Sequence, residues 1–473
     1  MARFWIVIAL FCGMWACGGT PKPPRNVLLI SLDTLRGDRL GSYGYPRKDI
    51  SPALDQLARE GFRFEQAISH SPWTTPSHMS LLTSTYPSTH RVTQSWTLLA
   101  RRFEGETLQY RGLPESAVTL AEALHDNGFE TLALTGGGTM LGDLGFNQGF
   151  ESYLEAPDSL DRRKRLTIWL EQPRDRPFFL FLHTFEIHAP YQRPRYVESL
   201  LDSDQHTRLQ QLLETAPDID AVLPDFLGEE GLFIPEITSA LYDGGVRYAD
   251  DALGWLFAEL ERTGLTDETL IVVTSDHGEE FAERKPDRYY GSHCETVYDE
   301  LIRVPLLIRS PDRVDDADRA IEAQVELIDV APTILDLLGV PQPATWQGHS
   351  LEPLMSGAQP DGESWALSEA TCYGPEIKSL RSNRYKYIAA FEADDLDRSG
   401  LDHPLLWEEL YDLKADPGER RDLEESNPAL LVQAREMLLD RLRVAQSLAA
   451  PESPSTPVTP QTMDRLRSLG YIQ

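Results

Sequence analysis

Residues 26–33 read NVLLISLD and residues 269–276 read TLIVVTSD, and these two stretches decide the fold. Each is a short, continuous apolar run that ends on an aspartate. Runs of this kind are typical of strands that are buried on both faces of a parallel sheet. Three further runs have the same character, namely TLALTG at 131–136, PFFLFLH at 177–183 and VPLLIRS at 304–310.

Helical segments lie between these runs, at 51–61, 119–128 and about 246–262. They are bounded by capping residues, a helix-start proline and glycine stops. Strands that alternate with helices predict an α/β fold with a doubly wound, mostly parallel sheet. Ligands of such sheets bind at the carboxyl ends of the strands, which is where Asp33 and Asp276 fall.

The composition changes along the chain and divides it into parts. Within the large domain, the acidic, helix-prone stretch 195–236 interrupts the alternation, and we interpret it as a surface excursion or lid. The parts are a signal or lipoprotein leader at 1–17, a linker at 18–25, a catalytic domain at 26–360, a smaller C-terminal α+β domain at 361–445 and a Pro/Ser/Thr-rich tail at 446–473.

The first residues predict export. Arg3 precedes an apolar run that ends in small residues around Cys17 and is too short for a comfortable membrane span. We predict a periplasmic or outer-membrane-anchored lipoprotein that is attached through lipidated Cys17, with plain secretion and an uncleaved anchor as alternatives. Beyond this region only Cys294 and Cys372 remain, so at most one intrachain disulfide is possible.

The charge balance excludes one class of partner. The chain has 44 Lys and Arg against 75 Asp and Glu, which gives a formal net charge of −31. A nucleic-acid partner is therefore not expected. An anionic substrate must instead be attracted locally, by a bound metal or by helix N-termini.

Two groups of residues carry the candidate chemistry. Asp33, Asp276 and His277 supply two carboxylates and an imidazole from strand ends, a set that suits a divalent cation. The segment SPWTTPSHMSLLT at 71–83 places Thr74 directly before a predicted helix start, where an anion or an ionised alcohol is favoured. Local helix capping is the alternative interpretation for each of these groups.

Nine collinear stretches resemble the sulfatase family, a branch of the alkaline phosphatase superfamily. They are NVLLISLDTLRGDRLGSYG, TTPSHMSLLTSTYPSTH, FFLFLHTFEIHAPY, YADDALGWLFAELERTGL, VVTSDHGEEF, YDELIRVPLLI, ELIDVAPTILDLLG, SLRSNRYKYI and ELYDLKADPGE. The resemblance implies an alkaline-phosphatase-like fold, one active-site cation and a nucleophile at Thr74. It also implies that His183 and His188 match a substrate-contacting stretch and that His293 matches the histidine before Tyr-Asp-Glu.

The sequence departs from a sulfatase on the substrate side. Sulfatases carry a Cys or Ser that is oxidised to formylglycine, whereas Thr74 cannot form an aldehyde. Thr34 replaces a second metal-binding aspartate, and His78 replaces an arginine. Glu295 replaces a lysine, and Thr135 begins a stretch that in sulfatases usually carries a lysine and a histidine. Each of the last three changes removes positive charge from the substrate side.

A threonine nucleophile resembles that of related phosphodiesterases, phosphonate hydrolases and phospholipid-headgroup transferases. We therefore predict a metal site of Asp33, Thr74, Asp276 and His277 that favours Mn²⁺ or Zn²⁺, with Ca²⁺ as the alternative. Catalytic and substrate-binding candidates are the histidines at 78, 183, 188 and 293, of which 78, 188 and 293 are assigned to substrate binding. The favoured substrate is a phosphate ester, and a sulfuric ester hydrolase and a catalytically silent envelope protein are the alternatives.

Overall fold

The computed structural model describes residues 24–47, 49–95, 108–136, 139–155, 159–189, 235–281, 293–316, 318–360, 362–372, 374–393, 403–449 and 453–468, with isolated positions between these ranges. The predicted leader at 1–17 and most of the insertion at 195–236 lie outside the described residues. Among the described residues, no helix combines the length and the apolar composition that a membrane span requires.

Fourteen strands are present in the described part of the chain. They are β1 (Asn26–Leu32), β2 (Phe62–Ile68), β3 (Gln109–Tyr110), β4 (Glu130–Thr135), β5 (Ser152–Glu155), β6 (Phe178–Thr184), β7 (Thr269–Thr274), β8 (Arg303–Arg309), β9 (Arg319–Glu326), β10 (Ala366–Ser368), β11 (Glu376–Arg381), β12 (Tyr385–Phe391), β13 (Leu405–Asp412) and β14 (Thr456–Pro457).

The α-helices of the described residues follow the same chain order. They are α1 (Pro52–Arg59), α2 (Thr74–Thr83), α3 (Pro87–His90), α4 (Leu120–Asp126), α5 (Ser159–Leu170), α6 (Pro235–Arg262), α7 (Asp299–Ile302), α8 (Val330–Leu337), α9 (Glu352–Met355), α10 (Pro428–Ser447) and α11 (Pro460–Ser468).

The main sheet confirms the predicted α/β architecture. Its strand order is β5-β4-β6-β1-β7-β8-β2-β9, and the run from β5 to β7 is parallel throughout. Only β8 runs against its neighbours among these eight strands, since it pairs antiparallel with both β7 and β2. The carboxyl ends of β1, β6 and β7 therefore meet at one edge of the sheet.

Both faces of the sheet are covered, which explains the continuous apolar runs. On one face of the sheet, Val27 and Leu29 of β1 belong to a buried cluster with residues of α2, α4 and α8. On the other face, Leu28 and Ile30 belong to a second cluster with residues of α1 and α6. The capping box that was predicted from the sequence is present at Thr119, whose side chain accepts from the backbone of Glu122.

Helix α6 is longer than predicted. It begins at Pro235 instead of near Val246, so the acidic insertion ends where this helix starts. The extra turns include Leu241 and Tyr242, which are buried against the sheet. The packing of these two side chains stabilises the first turns of α6, which the local composition did not indicate.

The small C-terminal domain packs directly on the loop after β2. Four antiparallel strands, β10 to β13, form its sheet, two more than the sequence indicated, and α10 covers one face. The Ser368 hydroxyl donates to the carbonyl of Ser69 (2.6 Å), and the backbone N–H of Glu369 donates to that of His70 (2.8 Å). The domain thus supports the segment that leads into α2.

The Pro/Ser/Thr-rich tail returns to the catalytic domain. Its strand β14 pairs antiparallel with β3, and α11 follows. Val458 and Leu466 are buried in the core cluster of the main sheet, with exposures of 7% and 0%. Burial of these two apolar side chains fixes the tail to the catalytic domain, although the average composition of the tail is that of a linker.

Candidate active site

Asp33, Asp276 and His277 meet at the carboxyl edge of the main sheet. Strands β1 and β7 are neighbours, with Ser31 in register with Thr274, so the residues that follow the two strands fall side by side. One ligand atom from each of the three residues lies within 4.8 Å of the others, and all three residues are buried. The predicted juxtaposition is present.

The donor atoms of this triad fit a divalent cation. Asp33 Oδ1 and Asp276 Oδ2 are buried and have no hydrogen-bond partner in the described part of the chain, although His78 Nδ1 lies 3.3 Å from Asp276 Oδ2. The Nδ1 of His277 donates to the carbonyl of Gly278 (2.8 Å), which leaves Nε2 as an unprotonated lone-pair donor. Two such carboxylate oxygens, with the lone pair of His277 Nε2 only 3.3 Å from Asp276 Oδ2, form a donor set that suits a buried cation.

The electrostatics of the triad agree with this interpretation. Burial raises the pKa of Asp33 to about 6, although His188 and His293 oppose the shift. Burial and the neighbouring Asp33 raise the pKa of Asp276 to about 7. Burial also holds the pKa of His277 well below its usual range. Two carboxylates in contact therefore lack compensating positive charge from the protein.

Thr74 lies beside the triad at the first residue of α2. Its Oγ1 is 3.4 Å from Asp33 Oδ2 and 3.4 Å from His277 Nε2. All ten residues of α2 are buried, so the free N–H groups of its first turn lie in a desolvated region. The structure thus brings the predicted nucleophile to the predicted metal ligands.

His78 lies one turn further along α2 and faces the sheet. Its Nδ1 is 2.9 Å from the Thr74 carbonyl oxygen, and its Nε2 is 2.8 Å from the Ser31 hydroxyl. Burial lowers the pKa of His78 to about 4, so the ring is neutral, with Nδ1 as donor and Nε2 as acceptor. This geometry orients Thr74 and leaves neither nitrogen directed to a substrate.

His183 also supports the site from behind. Its Nε2 lies 3.1 Å from Asp33 Oδ2, and burial lowers the pKa of this histidine to about 3. A neutral ring that donates to Asp33 orients that carboxylate. The side chain of Arg162 donates to the carbonyl of His183 (3.2 Å) and fixes the end of β6.

His188 and His293 lie together on the more open side. Their ring centroids are 4.9 Å apart, and that of His293 is 4.6 Å from that of His277. His293 Nδ1 is 3.0 Å from Glu279 Oε1, and although burial opposes it, Glu279 raises the pKa of His293. Since the side chain of His293 is 15% exposed, this pair can reach a substrate.

Thr34 adopts a backbone conformation that a β-branched residue rarely takes. Its φ is 63°, in the left-handed region. Two hydrogen bonds hold it there: its N–H donates to Asp276 Oδ1 (3.3 Å), and the Tyr242 hydroxyl donates to its carbonyl (2.7 Å). Such local strain is common where a site fixes its ligands, and here it follows directly on Asp33.

Sequence patterns did not single out Glu279 or Tyr242. Glu279 accepts from the Tyr191 hydroxyl (3.3 Å) as well as contacting His293, so it positions the open side of the site. Its place two residues after His277 was a usable signal. Tyr242 gave none, because it lies within a helix more than two hundred residues from Thr34.

A disulfide joins the two domains next to the site. Cys294 pairs with Cys372, as the cysteine count allowed, across 78 residues of sequence. The N–H of Cys294 donates to the carbonyl of Pro72 (3.0 Å), and the carbonyl of Ala370 accepts from the Trp73 indole (2.5 Å). The bond therefore ties the loop of His293 to the turn that carries Thr74.

We expect the variant Cys372→Ser to lower both the melting temperature and kcat. Loss of a native disulfide typically costs about 2–5 kcal/mol, and the loops that hold Thr74 and His293 lose their connection. Thermal unfolding with and without dithiothreitol measures the first effect. Reductant should destabilise the native chain but not Cys372→Ser, and equal responses of the two proteins would argue against the bond.

The fold and the site together define a class. A mostly parallel sheet with an Asp/Asp/His group and a hydroxyl-bearing helix start at its carboxyl edge is the arrangement of ester hydrolases with an alkaline-phosphatase-like fold. The chain belongs to the sulfatase family, since the family profile described as Sulfatase matches residues 25–340. A second profile, N-sulphoglucosamine sulphohydrolase, C-terminal, matches residues 291–446. The predicted family and fold class are confirmed.

Relatives place the chain among hydrolases of the alkaline phosphatase superfamily. The multifunctional alkaline phosphatase superfamily protein PehA of Trinickia caryophylli is 26% identical over 84% of this chain and 91% of its own length. Arylsulfatase K of Rattus norvegicus is 24% identical over 86% and 76%. The phosphonate monoester hydrolase of Agrobacterium radiobacter has a similar fold, with a TM-score of 0.66 and 21% identity over 89% of this chain and 96% of that one.

Proposed function

We propose that this sulfatase-family hydrolase cleaves, or transfers, phosphodiester- or phosphonate-type esters with Thr74 as nucleophile. The observation that carries the proposal is the Thr74 hydroxyl, 3.4 Å from both a carboxylate oxygen and an imidazole nitrogen of the Asp/Asp/His group. A threonine cannot supply the aldehyde of formylglycine, so the formylglycine mechanism of sulfatases is not available to Thr74. An alcohol at a helix start can still attack phosphorus.

Asp33, Asp276, His277 and the Thr74 oxygen would hold a divalent cation, because two buried carboxylate oxygens lie within reach of the imidazole nitrogen and the hydroxyl. Sulfatase-family members generally bind such an ion. Bound there, it supplies positive charge that lowers the pKa of an alcohol and stabilises a developing oxyanion. A nitrogen ligand among two carboxylates favours Mn²⁺ or Zn²⁺, with Ca²⁺ as the alternative.

The protein groups allow a two-step reaction. The Thr74 hydroxyl gives up its proton towards Asp33, its oxygen bonds to phosphorus, and the bond from phosphorus to the leaving oxygen breaks. His293 or His188 protonates that oxygen, because both rings lie on the open side. Water or another alcohol then attacks phosphorus and gives its proton to the same histidine, the bond to Thr74 breaks, and the threonine regains its proton from Asp33.

The charge of the site favours a singly charged ester. Asp33, Asp276 and Glu279 are three buried carboxylates, so a divalent cation and a protonated His293 together only offset their negative charges. Glu295, two residues after His293, is half-buried and stands where the resemblance expects a lysine. A phosphate monoester carries two charges and is repelled more strongly than a diester or a sulfate ester.

Hydrolysis of sulfate esters is the second candidate, because the chain belongs to the sulfatase family and arylsulfatase K is among its relatives. The two candidates are separated by the initial rates on bis(p-nitrophenyl) phosphate, p-nitrophenyl sulfate and p-nitrophenyl phosphate with Mn²⁺, Zn²⁺ or Ca²⁺. We expect the diester to be the best substrate and the phosphate monoester the poorest.

Turnover of the sulfate alone would overturn the phosphate proposal. If the protein bound none of the three cations and cleaved none of the esters, the catalytically silent interpretation would replace both candidates. The native chain purified from its membrane fraction is the material for this comparison.

Export through a lipidated Cys17 remains part of the proposal. The Cys294–Cys372 disulfide supports it, since such bonds persist in oxidising compartments. The mature protein should then begin at a lipid-modified Cys17, which the intact mass of the purified protein reads directly. A mass that includes the leader would contradict this.

A further inference from the structure

Three charged side chains are buried together in the C-terminal domain. Lys378 of β11 is 1% exposed, and its Nζ lies 2.9 Å from Glu369 Oε2 and 3.0 Å from Glu376 Oε1. We name Lys378, Glu369 and Glu376 the buried ion cluster. The desolvation cost of burying such charges can exceed their mutual attraction, so the cluster is weak evidence for a gain in stability. Its contacts indicate a different role.

The carboxylates of the buried ion cluster hold backbone from both domains. Although burial opposes both shifts, Lys378 lowers the pKa of Glu369, and Glu369 raises the pKa of Lys378. The N–H of Ser88, in the catalytic domain, donates to Glu369 Oε1 (2.8 Å). The N–H of Ala370, in the C-terminal domain, donates to Glu376 Oε1 (2.6 Å). Hydrogen bonds to an ionised acceptor are stronger than neutral ones, so both segments are firmly held.

Ala370 connects the buried ion cluster to the turn that carries Thr74. Its φ is 65°, in the left-handed region that an alanine rarely adopts. In this conformation its carbonyl accepts from the Ser71 hydroxyl (3.2 Å) and from the Trp73 indole (2.5 Å). Trp73 is 5% exposed and directly precedes Thr74, the first residue of α2. Direct contacts therefore lead from the cluster through Ala370 and Trp73 to the proposed nucleophile.

We propose that Lys378 is a positioning residue for Thr74. With Glu376 it fixes the carbonyl of Ala370, and this carbonyl fixes the turn before α2. The inference rests on the proposed function, in which Thr74 attacks the ester. An attacking oxygen must be held close to its reacting orientation, because a misplacement of about 1 Å can lower a rate by about 100-fold. The C-terminal domain thus acts on the reaction through the geometry of the nucleophile, without touching the substrate.

The test compares four variants of the full chain. Lys378→Met removes the ammonium, Trp73→Phe removes the indole N–H and keeps an aromatic ring, and a double variant combines the two. The matched control is Glu408→Gln, which weakens a charged contact with Arg435 in the same domain. Steady-state rates on the best p-nitrophenyl ester give kcat and KM. Hydrogen exchange, measured by mass spectrometry on peptides that cover residues 69–83, reports the order of the turn without any turnover.

We expect Lys378→Met and Trp73→Phe each to lower kcat by about tenfold or more and to change KM less than about twofold, because the attacking group is displaced while the groups around the ester remain. The double variant should lose little more than either single variant, since both act through one carbonyl. Residues 69–83 should exchange faster in Lys378→Met than in the native chain. Glu408→Gln should melt at a lower temperature but keep native kcat and native exchange in this turn.

Native kcat in Lys378→Met, fully additive losses in the double variant, or an equal loss of kcat in Glu408→Gln would overturn the proposal. If Lys378→Met does not fold, native kcat in Trp73→Phe has the same consequence. Unchanged exchange of residues 69–83 in Lys378→Met also overturns it, even if no ester is cleaved. Failure of the proposed function is seen separately, as full activity of Thr74→Val in the same ester assay.

Discussion

The variant Thr74→Val is expected to lower kcat by on the order of 10³-fold or more, because it removes the attacking oxygen and little else. Valine has the shape of threonine, and α2 is buried along its whole length, so the helix should keep its place. Thr74→Ser retains the hydroxyl and should keep a large part of the activity. Steady-state rates on the best p-nitrophenyl ester give the comparison.

Thr75→Val is the matched control for this prediction. Thr75 is the next residue of α2, and its Oγ1 is buried but, unlike that of Thr74, has no hydrogen-bond partner among the described residues. It lies outside the contacts with Asp33 and His277, so we expect its kcat to fall less than tenfold. Rapid quenching and mass spectrometry should find the phosphoryl group of the ester on Thr74. A Thr74→Val enzyme with more than a tenth of native kcat would exclude the proposed nucleophile.

The triad could be predicted from the sequence because local pattern and topology determine it together. Asp33 and Asp276 each follow an apolar run, and such runs form adjacent parallel strands whose carboxyl ends meet. Thr74 was marked by Pro76, which predicted a helix start two residues later, whereas α2 begins at Thr74 itself. For these residues, the sequence pattern within a few positions was sufficient for the prediction.

Other features depend on contacts that are distant in sequence. Strand β2, FRFEQAI, mixes polar and apolar residues, and its pairing with β8 and β9 decides its state. The tail has the composition of a linker, and only the structure shows that Leu466 is buried in the core of the main sheet. His78 was predicted to bind substrate, whereas its two hydrogen bonds, to Thr74 and Ser31, give it a supporting role that only the packing of α2 on β1 reveals. Its role in catalysis stays a prediction.

Removal of the cation should reverse the effect that the variant Asp276→Asn has on the free energy of unfolding. Burial and Asp33 raise the pKa of Asp276 to about 7, above the ordinary 3.8 that the unfolded chain retains. The folded, metal-free protein therefore binds more protons than the unfolded chain between about pH 4 and 7, and its stability falls as the pH rises through this window. In chelator at pH 8, Asp276→Asn should be more stable than the native chain by on the order of 3 kcal/mol.

With a saturating divalent cation the order should invert, because the native carboxylate then has its partner and asparagine is a weaker ligand. Asp276→Asn should also lose activity by on the order of 10²-fold or more, since the bound ion supplies the charge that the reaction needs. The melting temperatures of the native chain and of Asp276→Asn are measured with chelator and with Mn²⁺ or Zn²⁺. Each of these four combinations is followed from pH 5 to 8.

Asp299→Asn is the control for the stability effect. Although burial opposes it, Arg381 and Lys386 hold the pKa of Asp299 well below its usual range. Its bonds to Arg381 (2.7 Å) and Lys386 (3.0 Å) are present with or without a cation. This variant should be less stable than the native chain under both conditions, because it removes a carboxylate from two buried cations, of which Lys386 retains Glu419. If Asp276→Asn also destabilised the chelated protein at pH 8, the triad would not be an uncompensated cation site.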